Sequence, residues 1–388
     1  MQHAFSPLQI KGRDLLPVVQ GGMGIGVSAH RLAGSVAAQG GMGTIASVDL
    51  RHHHPDLLAR SKQTREQAEL DALNFEALDR EIVAARELAQ GKGMIAVNVM
   101  RAVEAYTGYV RQACRSGADA IVMGAGLPLD LPELTADFPH VALIPILSDA
   151  RGIALVLKKW LKKGRLPDAI VIEHPRYAGG HLGAAQVSAL QDERFDFDHV
   201  LGPTHALFAE LGIKPIPLII AGGIHSHEQV QHWLTHGASG VQLGTAFAVS
   251  EEGDAHPAFK AVLAGARQED IVEFVSVAGL PARAVATPWL KNYLQREERL
   301  QRNAKADPAR CTQALNCLGQ CGLRDGLAKI GQFCIDLKLA AALRGEVGKG
   351  LFFRGASILP FGSEIRPVRE LLRYLLTGQM PAGLAAPC

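Results

Sequence analysis

His181 is the histidine of this 388-residue sequence whose surroundings best suit proton transfer. It stands between glycines in the segment AGGHLG, residues 178–183, a few residues after the apolar run 169–173. Because a neutral imidazole accepts a proton at about pH 7, we predict that His181 is a catalytic general base. The three adjacent histidines His52, His53 and His54 lack such a setting, and we expect them to form a solvated loop.

Glycine-containing turns at residues 20–26, 221–224 and 242–246 could bring backbone N–H groups close to a flat ring or a phosphate. Paired glycines in the second turn and Gly-Thr in the third favour a phosphate site over turns that need glycine only for geometry. Asn98 offers an amide donor and acceptor that suit a ring edge, and an Asn that satisfies a loop backbone fits equally well. The predicted cofactor-binding residues are Gly22, Met23, Asn98, Gly180, Gly222, Gly223, Gln242, Gly244 and Thr245.

Four cysteines near the C-terminus have the spacing C-x5-C-x3-C-x12-C. Four thiolates fit either a tetrahedral Zn(II) site or a [4Fe-4S] cluster. Since the paired C-x2-C knuckles that are common in zinc sites are absent from this segment, the spacing favours iron–sulfur. The predicted metal ligands are Cys311, Cys317, Cys321 and Cys334.

Eight short apolar runs rich in Val and Ile, with helical segments between them, must position these residues. This alternation is typical of βα units and a parallel sheet. We therefore predict an α/β fold, a (β/α)8 TIM barrel rather than an open doubly wound sheet, with the chemistry at the carboxyl ends of the strands. The predicted strands are residues 16–20, 42–46, 94–99, 120–123, 142–147, 169–173, 217–221 and 240–243.

The segments outside these strands indicate helices, insertions and a C-terminal extension. Helices are expected at residues 28–38 and 226–236, with Ser28 and Ser226 as N-caps. Two connections are long enough to form lids or substrate walls, so helical insertions are predicted at residues 49–92 and 184–214. Residues 1–290 should form the barrel, and residues 291–388 should form a C-terminal helical extension with the cysteine cluster.

Composition argues against several classes of protein. Lys and Arg number 40 against 38 Asp and Glu, so the formal charge of +2 gives no reason to expect a nucleic-acid partner. No apolar run approaches the roughly 20 residues of a membrane-spanning helix, and no secretion signal is visible, so a cytoplasmic location is predicted. A basic run at residues 158–165 is interpreted as a solvated helix face, with the docking of an acidic protein as the alternative.

Several motifs together resemble the nitronate monooxygenase (2-nitropropane dioxygenase) superfamily of FMN barrels over residues 15–290. They are VVQGGMG at residues 18–24, VNV at 97–99, AGGHLG at 178–183, AGGI at 221–224, QLGTAF at 242–247 and GLPARAV at 279–285. A branch of this superfamily with a [4Fe-4S] cluster in a C-terminal extension resembles the chain from end to end, including LFFRGASIL at residues 351–359.

The resemblance implies roles for the residues above. His181 matches the catalytic histidine of the superfamily. Gly22, Met23 and Asn98 match contacts to the flavin ring, and four further residues match the phosphate site: Gly222, Gly223, Gly244 and Thr245. Where some nitronate oxidisers place a lysine near the flavin, this chain has Ile146, Leu147 and Ser148.

The iron–sulfur branch implies an FMN- and [4Fe-4S]-dependent acyl-ACP dehydrogenase/isomerase that introduces a double bond in unsaturated fatty acid synthesis. Its partner would be an acyl carrier protein (ACP) that carries the substrate. Three alternatives stay open: a nitronate monooxygenase, an FMN-dependent enoyl-ACP reductase, and a non-catalytic flavin and iron–sulfur redox module. A homo-oligomeric assembly also stays open.

Overall fold

The computed structural model describes residues 3–307, 311 and 317–384. Eight parallel strands form a closed barrel in the order β3-β4-β5-β6-β7-β8-β10-β11, which the pairing of β11 with β3 closes. The (β/α)8 barrel and all eight predicted strand positions are thereby confirmed. The strands of the structure are β1 (Leu8–Ile10), β2 (Arg13–Leu15), β3 (Val18–Gln20), β4 (Met42–Ala46), β5 (Met94–Met100), β6 (Ala120–Gly124), β7 (Ala142–Leu147), β8 (Ile170–Glu173), β9 (Gly180–His181), β10 (Leu218–Ala221), β11 (Gly240–Leu243), β12 (Ile271–Val275) and β13 (Pro281–Val285).

Helices surround the barrel and fill the predicted insertions and extension. They are α1 (His30–Ala38), α2 (Pro55–Ser61), α3 (Gln67–Ala89), α4 (Tyr106–Arg115), α5 (Leu131–Leu134), α6 (Ala150–Leu161), α7 (Phe197–Glu210), α8 (His227–Thr235), α9 (Thr245–Ala248), α10 (Pro257–Gly265), α11 (Pro288–Leu294), α12 (Glu297–Arg302), α13 (Gly322–Asp325), α14 (Ile335–Leu343) and α15 (Val368–Thr377). In the part of the chain that the structure describes, no helix is both long enough and apolar enough to cross a membrane.

The N-terminal hairpin of β1 and β2 closes one end of the barrel. Leu8 and Ile10 are fully buried and pack in one cluster with Val19 and Met42 of the barrel interior. Leu8 lies beside Gly240, the first residue of β11, so the hairpin covers the end where the strands begin. The end where the strands finish is therefore left for a cavity.

The helix α15 returns from the C-terminal extension to the barrel wall. It packs against α8 and α1, and Leu371 and Leu372 join the main core between strands and helices. The imidazole of His227 in α8 lies 3.0 Å from the carbonyl oxygen of Leu375. The extension is thus part of the barrel's outer layer, while the division into residues 1–290 and 291–388 stays a prediction.

The prediction that Ser28 caps α1 is wrong. The N-cap residue is Ala29, and the carboxylate of Asp254 accepts hydrogen bonds from the N–H groups of Ala29 at 2.8 Å and Leu32 at 3.1 Å. A carboxylate more than 200 residues away replaces the local cap, which leaves the Ser28 hydroxyl to accept from the Met23 N–H at 2.8 Å. Ser226 does cap α8, since its hydroxyl accepts from the Gln229 N–H.

Candidate active site

A cavity of about 300 Å³ lies where the barrel strands end. The barrel loops form one side of it, and residues of α10, α14 and the segment 351–359 form the other. Every residue predicted from the sequence for catalysis or cofactor binding lines this one cavity: His181, Gly22, Met23, Asn98, Gly180, Gly222, Gly223, Gln242, Gly244 and Thr245.

Close backbone packing explains why glycines line the cavity floor. A Cβ atom on Gly22 would lie 2.4 Å from the Cβ of Asn98, which is closer than carbon atoms can approach. Gly222 and Gly223 have φ angles of +101° and +84°, in the region that side chains rarely tolerate. Only bare backbone fits these turns, and bare backbone leaves room for a flat ring against the strand ends.

Two amide side chains are available to a ring that carries N–H and C=O groups. Within the described residues, the side chains of Asn98 and Gln242 make no hydrogen bond to protein, although both line the cavity. Gln20 differs, because its Oε1 accepts from the Thr44 N–H at 2.8 Å and its Nε2 donates back to the Thr44 carbonyl at 3.0 Å. Asn98 and Gln242 therefore fit the polar edge of a flavin, whereas Gln20 stabilises the loop beneath it.

The opposite end of the cavity fits a phosphate. Thr245 begins α9, and its Oγ1 accepts from the Gly355 N–H at 3.0 Å, which leaves the hydroxyl hydrogen for a ligand. Next to Gly355 is Arg354, a buried cavity residue whose Nε donates to the Leu263 carbonyl at 2.9 Å. No carboxylate pairs with Arg354 among the described residues, and burial lowers the pKa of its guanidinium. Sequence reasoning missed Arg354; the only hint was one arginine in the apolar run LFFRG.

His181 is positioned by a small sheet outside the barrel. Its strand β9 pairs with β13, in the register Ala282 to His181, and β13 pairs with β12. The Nε2 atom lies 2.9 Å from the Oγ of Ser276. Burial against the cavity walls lowers the pKa of His181 to about 4, so the imidazole is neutral at physiological pH.

Glu173 is a second titratable group of the cavity that sequence reasoning did not assign to the site. It ends β8 and is aligned with Ala221 of β10. Burial raises the pKa of this carboxyl to about 7. A carboxylic acid with that pKa can donate or accept a hydrogen bond near neutral pH. Its place as the last residue of a predicted strand was the sequence signal.

The prediction of a solvated loop for His52, His53 and His54 is wrong. His52 Nε2 lies 3.2 Å from Asp336, His53 Nε2 lies 2.7 Å from the Gly26 carbonyl, and His54 Nε2 lies 2.9 Å from Glu81. The three rings are not exposed to solvent as a free loop would be, because α14 and α3 cover this loop.

A buried charge network beside these histidines joins the insertion to the extension. Arg51 is fully buried and pairs with Asp49, and its Nη2 lies 3.6 Å from Asp336. Burial raises the pKa of Asp49 to about 6. For Asp336, burial opposes ionisation, but the His52 hydrogen bond and the Arg51 charge outweigh it and hold the pKa below its usual value. Both carboxyl groups line the cavity.

The four predicted metal ligands lie in one region of the extension. Cys317 lines the cavity, and burial raises the pKa of its thiol. Burial, together with the nearby thiols of Cys334 and Cys321, raises the pKa of Cys311 to about 11. Among the described residues, however, no group of three or more His, Cys, Asp or Glu side chains is arranged to hold a metal ion. The metal-site prediction is therefore not confirmed.

The basic run does not face the cavity. Lys158 lies 3.8 Å from Glu210, and Lys163 donates to the Leu129 carbonyl at 2.6 Å. Arg165 pairs with Asp168, whose carboxylate accepts from the Leu143 N–H near the start of β7. The run thus ends at the part of the barrel where strands begin, which agrees with the interpretation as a helix face.

Comparisons with known proteins agree with this geometry. The family description "Nitronate monooxygenase" matches residues 11–378. A probable nitronate monooxygenase of Bacillus subtilis (strain 168) is 27% identical over 290 residues, which cover 72% of this chain and 79% of the relative.

Two solved structures share the fold. FabK from Thermotoga maritima aligns with a TM-score of 0.64 and 22% identity over 95% of this chain and 93% of its own. A nitroalkane oxidase from Streptomyces ansochromogenes aligns with a TM-score of 0.60 and 20% identity over 93% and 94% of the two chains.

The barrel and its glycine-lined mouth define a flavin-dependent oxidoreductase. More specifically, the chain belongs to the nitronate monooxygenase family. Proteins of this family generally bind FMN, and the bare backbone, the two amides and the phosphate end of the cavity fit that cofactor.

Proposed function

We propose that the protein oxidises an acyl chain carried as a thioester on ACP, and that it then shifts the new double bond. One observation carries this proposal: the cavity that contains His181 also has an apolar wall. We define the apolar wall by six side chains: Val27, Phe259, Leu263, Leu339, Ala342 and Leu359.

The apolar wall suits an alkyl chain better than a small nitronate. Each buried methylene stabilises a complex by about 0.8 kcal/mol, so a chain of several carbons gains from this wall while a short nitronate leaves most of it uncovered. Phe259 and Leu263 belong to α10, and Leu339 belongs to α14. The apolar wall is therefore formed jointly by a helix that follows the last barrel strand and by a helix of the cysteine-bearing extension.

His181 would supply the proton chemistry. The neutral imidazole accepts the α-proton of the thioester during the oxidation and then releases it to solvent. Once neutral again, it can take a proton from Cγ and deliver it to Cα, which moves the double bond. FMN, when bound, supplies the two-electron acceptor that such an oxidation needs. The tasks of the chain are to orient the thioester and to exclude water from His181.

Leu339→Trp tests the proposal, with Leu337→Trp as its matched control on the same helix. Leu337 is exposed and does not line the cavity. We expect Leu339→Trp to abolish flavin bleaching by long-chain acyl-ACP under anaerobic conditions and to spare a short acyl chain, while Leu337→Trp behaves as wild type. If no acyl-ACP of any length reduces the flavin in wild-type protein, the proposal is refuted.

We also propose that the four cysteines of the extension hold a [4Fe-4S] cluster. Four thiols are a suitable donor set, and the mutual charge effects of Cys311, Cys321 and Cys334 support their proximity. No step of the reaction is derived through a cluster. Iron and acid-labile sulfide, measured on anaerobically purified protein, test it: zinc without sulfide would make the site structural, and neither element would leave the thiols as packing groups.

Nitronate oxidation is the second candidate, and the family match over residues 11–378 favours it. It would use the same cavity and His181 with oxygen. Where some nitronate oxidisers carry a lysine, this chain has Ile146, Leu147 and Ser148, none of them basic, which counts against nitronate oxidation. Oxygen uptake with alkyl nitronates, compared with acyl-ACP turnover on the same preparation, decides between the two functions.

A further inference from the structure

Ser276 is a buried hydroxyl in contact with His181. It follows β12 directly, is fully buried, and its Oγ lies 2.9 Å from His181 Nε2. This oxygen also accepts from the Ala278 N–H at 3.3 Å. A serine oxygen has two acceptor positions, so the N–H of Ala278 and an N–H at Nε2 would occupy both.

The turn between β12 and β13 fixes Ser276. Its N–H donates to the Leu280 carbonyl at 2.9 Å, and its carbonyl accepts from the Gly279 N–H at 3.0 Å. Beyond the turn, β13 pairs with β9 and so with His181 itself. Ser276 therefore lies in the turn of the small sheet that contains His181, and the pairing of β13 with β9 brings this turn next to the imidazole.

The cysteine-bearing extension holds this turn from outside. The Gly331 N–H donates to the Ser276 carbonyl at 3.0 Å, and the Gly322 N–H donates to the Val277 carbonyl at 2.8 Å. The packing is close, because a Cβ atom on Gly331 would lie 2.7 Å from the Val277 nitrogen. Gly322 directly follows Cys321, so the turn touches the predicted metal-binding region.

We propose that Ser276 is the positioning residue of His181: its Oγ accepts from the Nε2–H, which leaves Nδ1 as the proton-accepting atom, and the extension keeps Ser276 in place. The inference rests on the proposed role of His181. When Nδ1 accepts the substrate proton, the Nε2–H bond to Ser276 is retained and becomes stronger, because the donor is now charged.

Burial lowers the pKa of His181 because it disfavours the charged imidazolium. A fixed hydrogen-bond acceptor such as the Ser276 oxygen would partly offset this effect. The other titratable groups that line the cavity are Asp49, Glu173, Tyr177, Cys317, Asp336 and Arg354. Burial disfavours the charged form of His181. The Ser276 oxygen therefore has a direct effect on the basicity of the imidazole.

Ser276→Ala is the first test. We expect kcat to fall about 10- to 100-fold, less than the ~10²–10⁴ expected for loss of the base itself, with KM and FMN content unchanged. The pKa of His181 should move further down, since the imidazolium loses its acceptor. Ser276→Thr keeps the hydroxyl and should restore most of kcat, and Ser61→Ala, which removes another buried hydroxyl far along the chain, should have no effect on kcat.

Nitrogen NMR of imidazole-labelled protein reads the tautomer directly. The His181 signals are assigned by their loss in His181→Ala. We expect the proton on Nε2 in the wild type and a mixture of tautomers in Ser276→Ala. A proton on Nδ1 in the wild type would overturn the inference, as would wild-type kcat and wild-type His181 pKa in Ser276→Ala.

Gly331→Ala tests the role of the extension, with Gly348→Ala as its matched control. A Cβ on Gly331 meets the turn, whereas one on Gly348 has no atom within 4 Å. Gly331→Ala should lower kcat and shift the tautomer as Ser276→Ala does; wild-type spectra in a folded Gly331→Ala protein would refute this part. The NMR spectra report the His181 tautomer without any turnover of substrate. If His181→Ala stayed active, that result would therefore contradict the proposed function and not the hydrogen bond between Ser276 and His181.

Discussion

His181 is kept neutral by burial, and its chemistry follows from that. We expect His181→Ala to retain FMN, because the glycines and amides of the cavity are unchanged, and to lower turnover by about 10²–10⁴. The measurement is single-turnover flavin bleaching with acyl-ACP, beside FMN quantified in the same sample. Turnover near that of the wild type would show that His181 is only a loop residue.

The pH profile of the wild type should report the lowered pKa of His181. A base is active when it is deprotonated, and this imidazole loses its proton at a pH of about 4 instead of the ordinary 6.5. From about pH 7 down to pH 5, kcat/KM should therefore show no inflection from His181. An acid limb centred near 6.5 that disappears in His181→Ala would contradict the buried, neutral state.

Arg354 should contribute to FMN affinity through the phosphate. A charge-assisted hydrogen bond is worth ~1.5–3 kcal/mol, so Arg354→Met should weaken FMN binding about 10- to 100-fold. Riboflavin lacks the phosphate and should bind wild type and variant alike. Arg344→Met removes an exposed arginine that pairs with Glu346, and it serves as the control. Equal losses for FMN and riboflavin would show that Arg354 acts only by holding the backbone carbonyls of Leu263, Gly355 and Ser357.

At the scale of elements, the fit of α1 on β4 depends on Gly43. A Cβ atom there would lie 2.0 Å from the Ala33 carbonyl oxygen, so α1 would have to move. We expect Gly43→Ala to lower the free energy of unfolding by about 1–3 kcal/mol. Gly265 at the end of α10 has open space, and Gly265→Ala should be neutral or stabilising by up to ~1 kcal/mol. Urea titrations of both variants decide, and equal stabilities would disprove the packing argument.

For the whole molecule, the cavity and the basic run lie at different ends of the barrel. Reversing Lys159 and Lys162 to Glu should therefore leave KM for acyl-ACP within about twofold of wild type, since exposed charges contribute little unless they face the partner. Steady-state kinetics at low and moderate salt make the comparison. A large rise in KM at low salt would place the docking surface on α6 after all.

Local patterns were sufficient to predict the barrel strands and the residues at their carboxyl ends. Apolar runs of four to six residues identify buried parallel strands by themselves. Because all such strands end at the same mouth, the run ends also placed Asn98 and Gln242 there, whereas Glu173 ended a predicted strand without being assigned to the site. The hairpin of β1 and β2 and the sheet of β9, β12 and β13 were not predicted. The strands β1, β2 and β9 have only two or three residues, and β12 and β13 form an antiparallel pair outside the βα alternation.

The sequence by itself determined the barrel, the position of His181 beyond a strand and the bare glycine turns that suit a flavin, because these depend on neighbouring residues along the chain. Only the tertiary structure decided which partners those residues meet. Ser276 reaches His181 across 95 positions, and Gly355 reaches Thr245 across 110. Hydrogen-bond partners so far apart leave no periodicity in the sequence, since the first pair meets only when β13 pairs with β9 and the second only when the extension packs against the barrel.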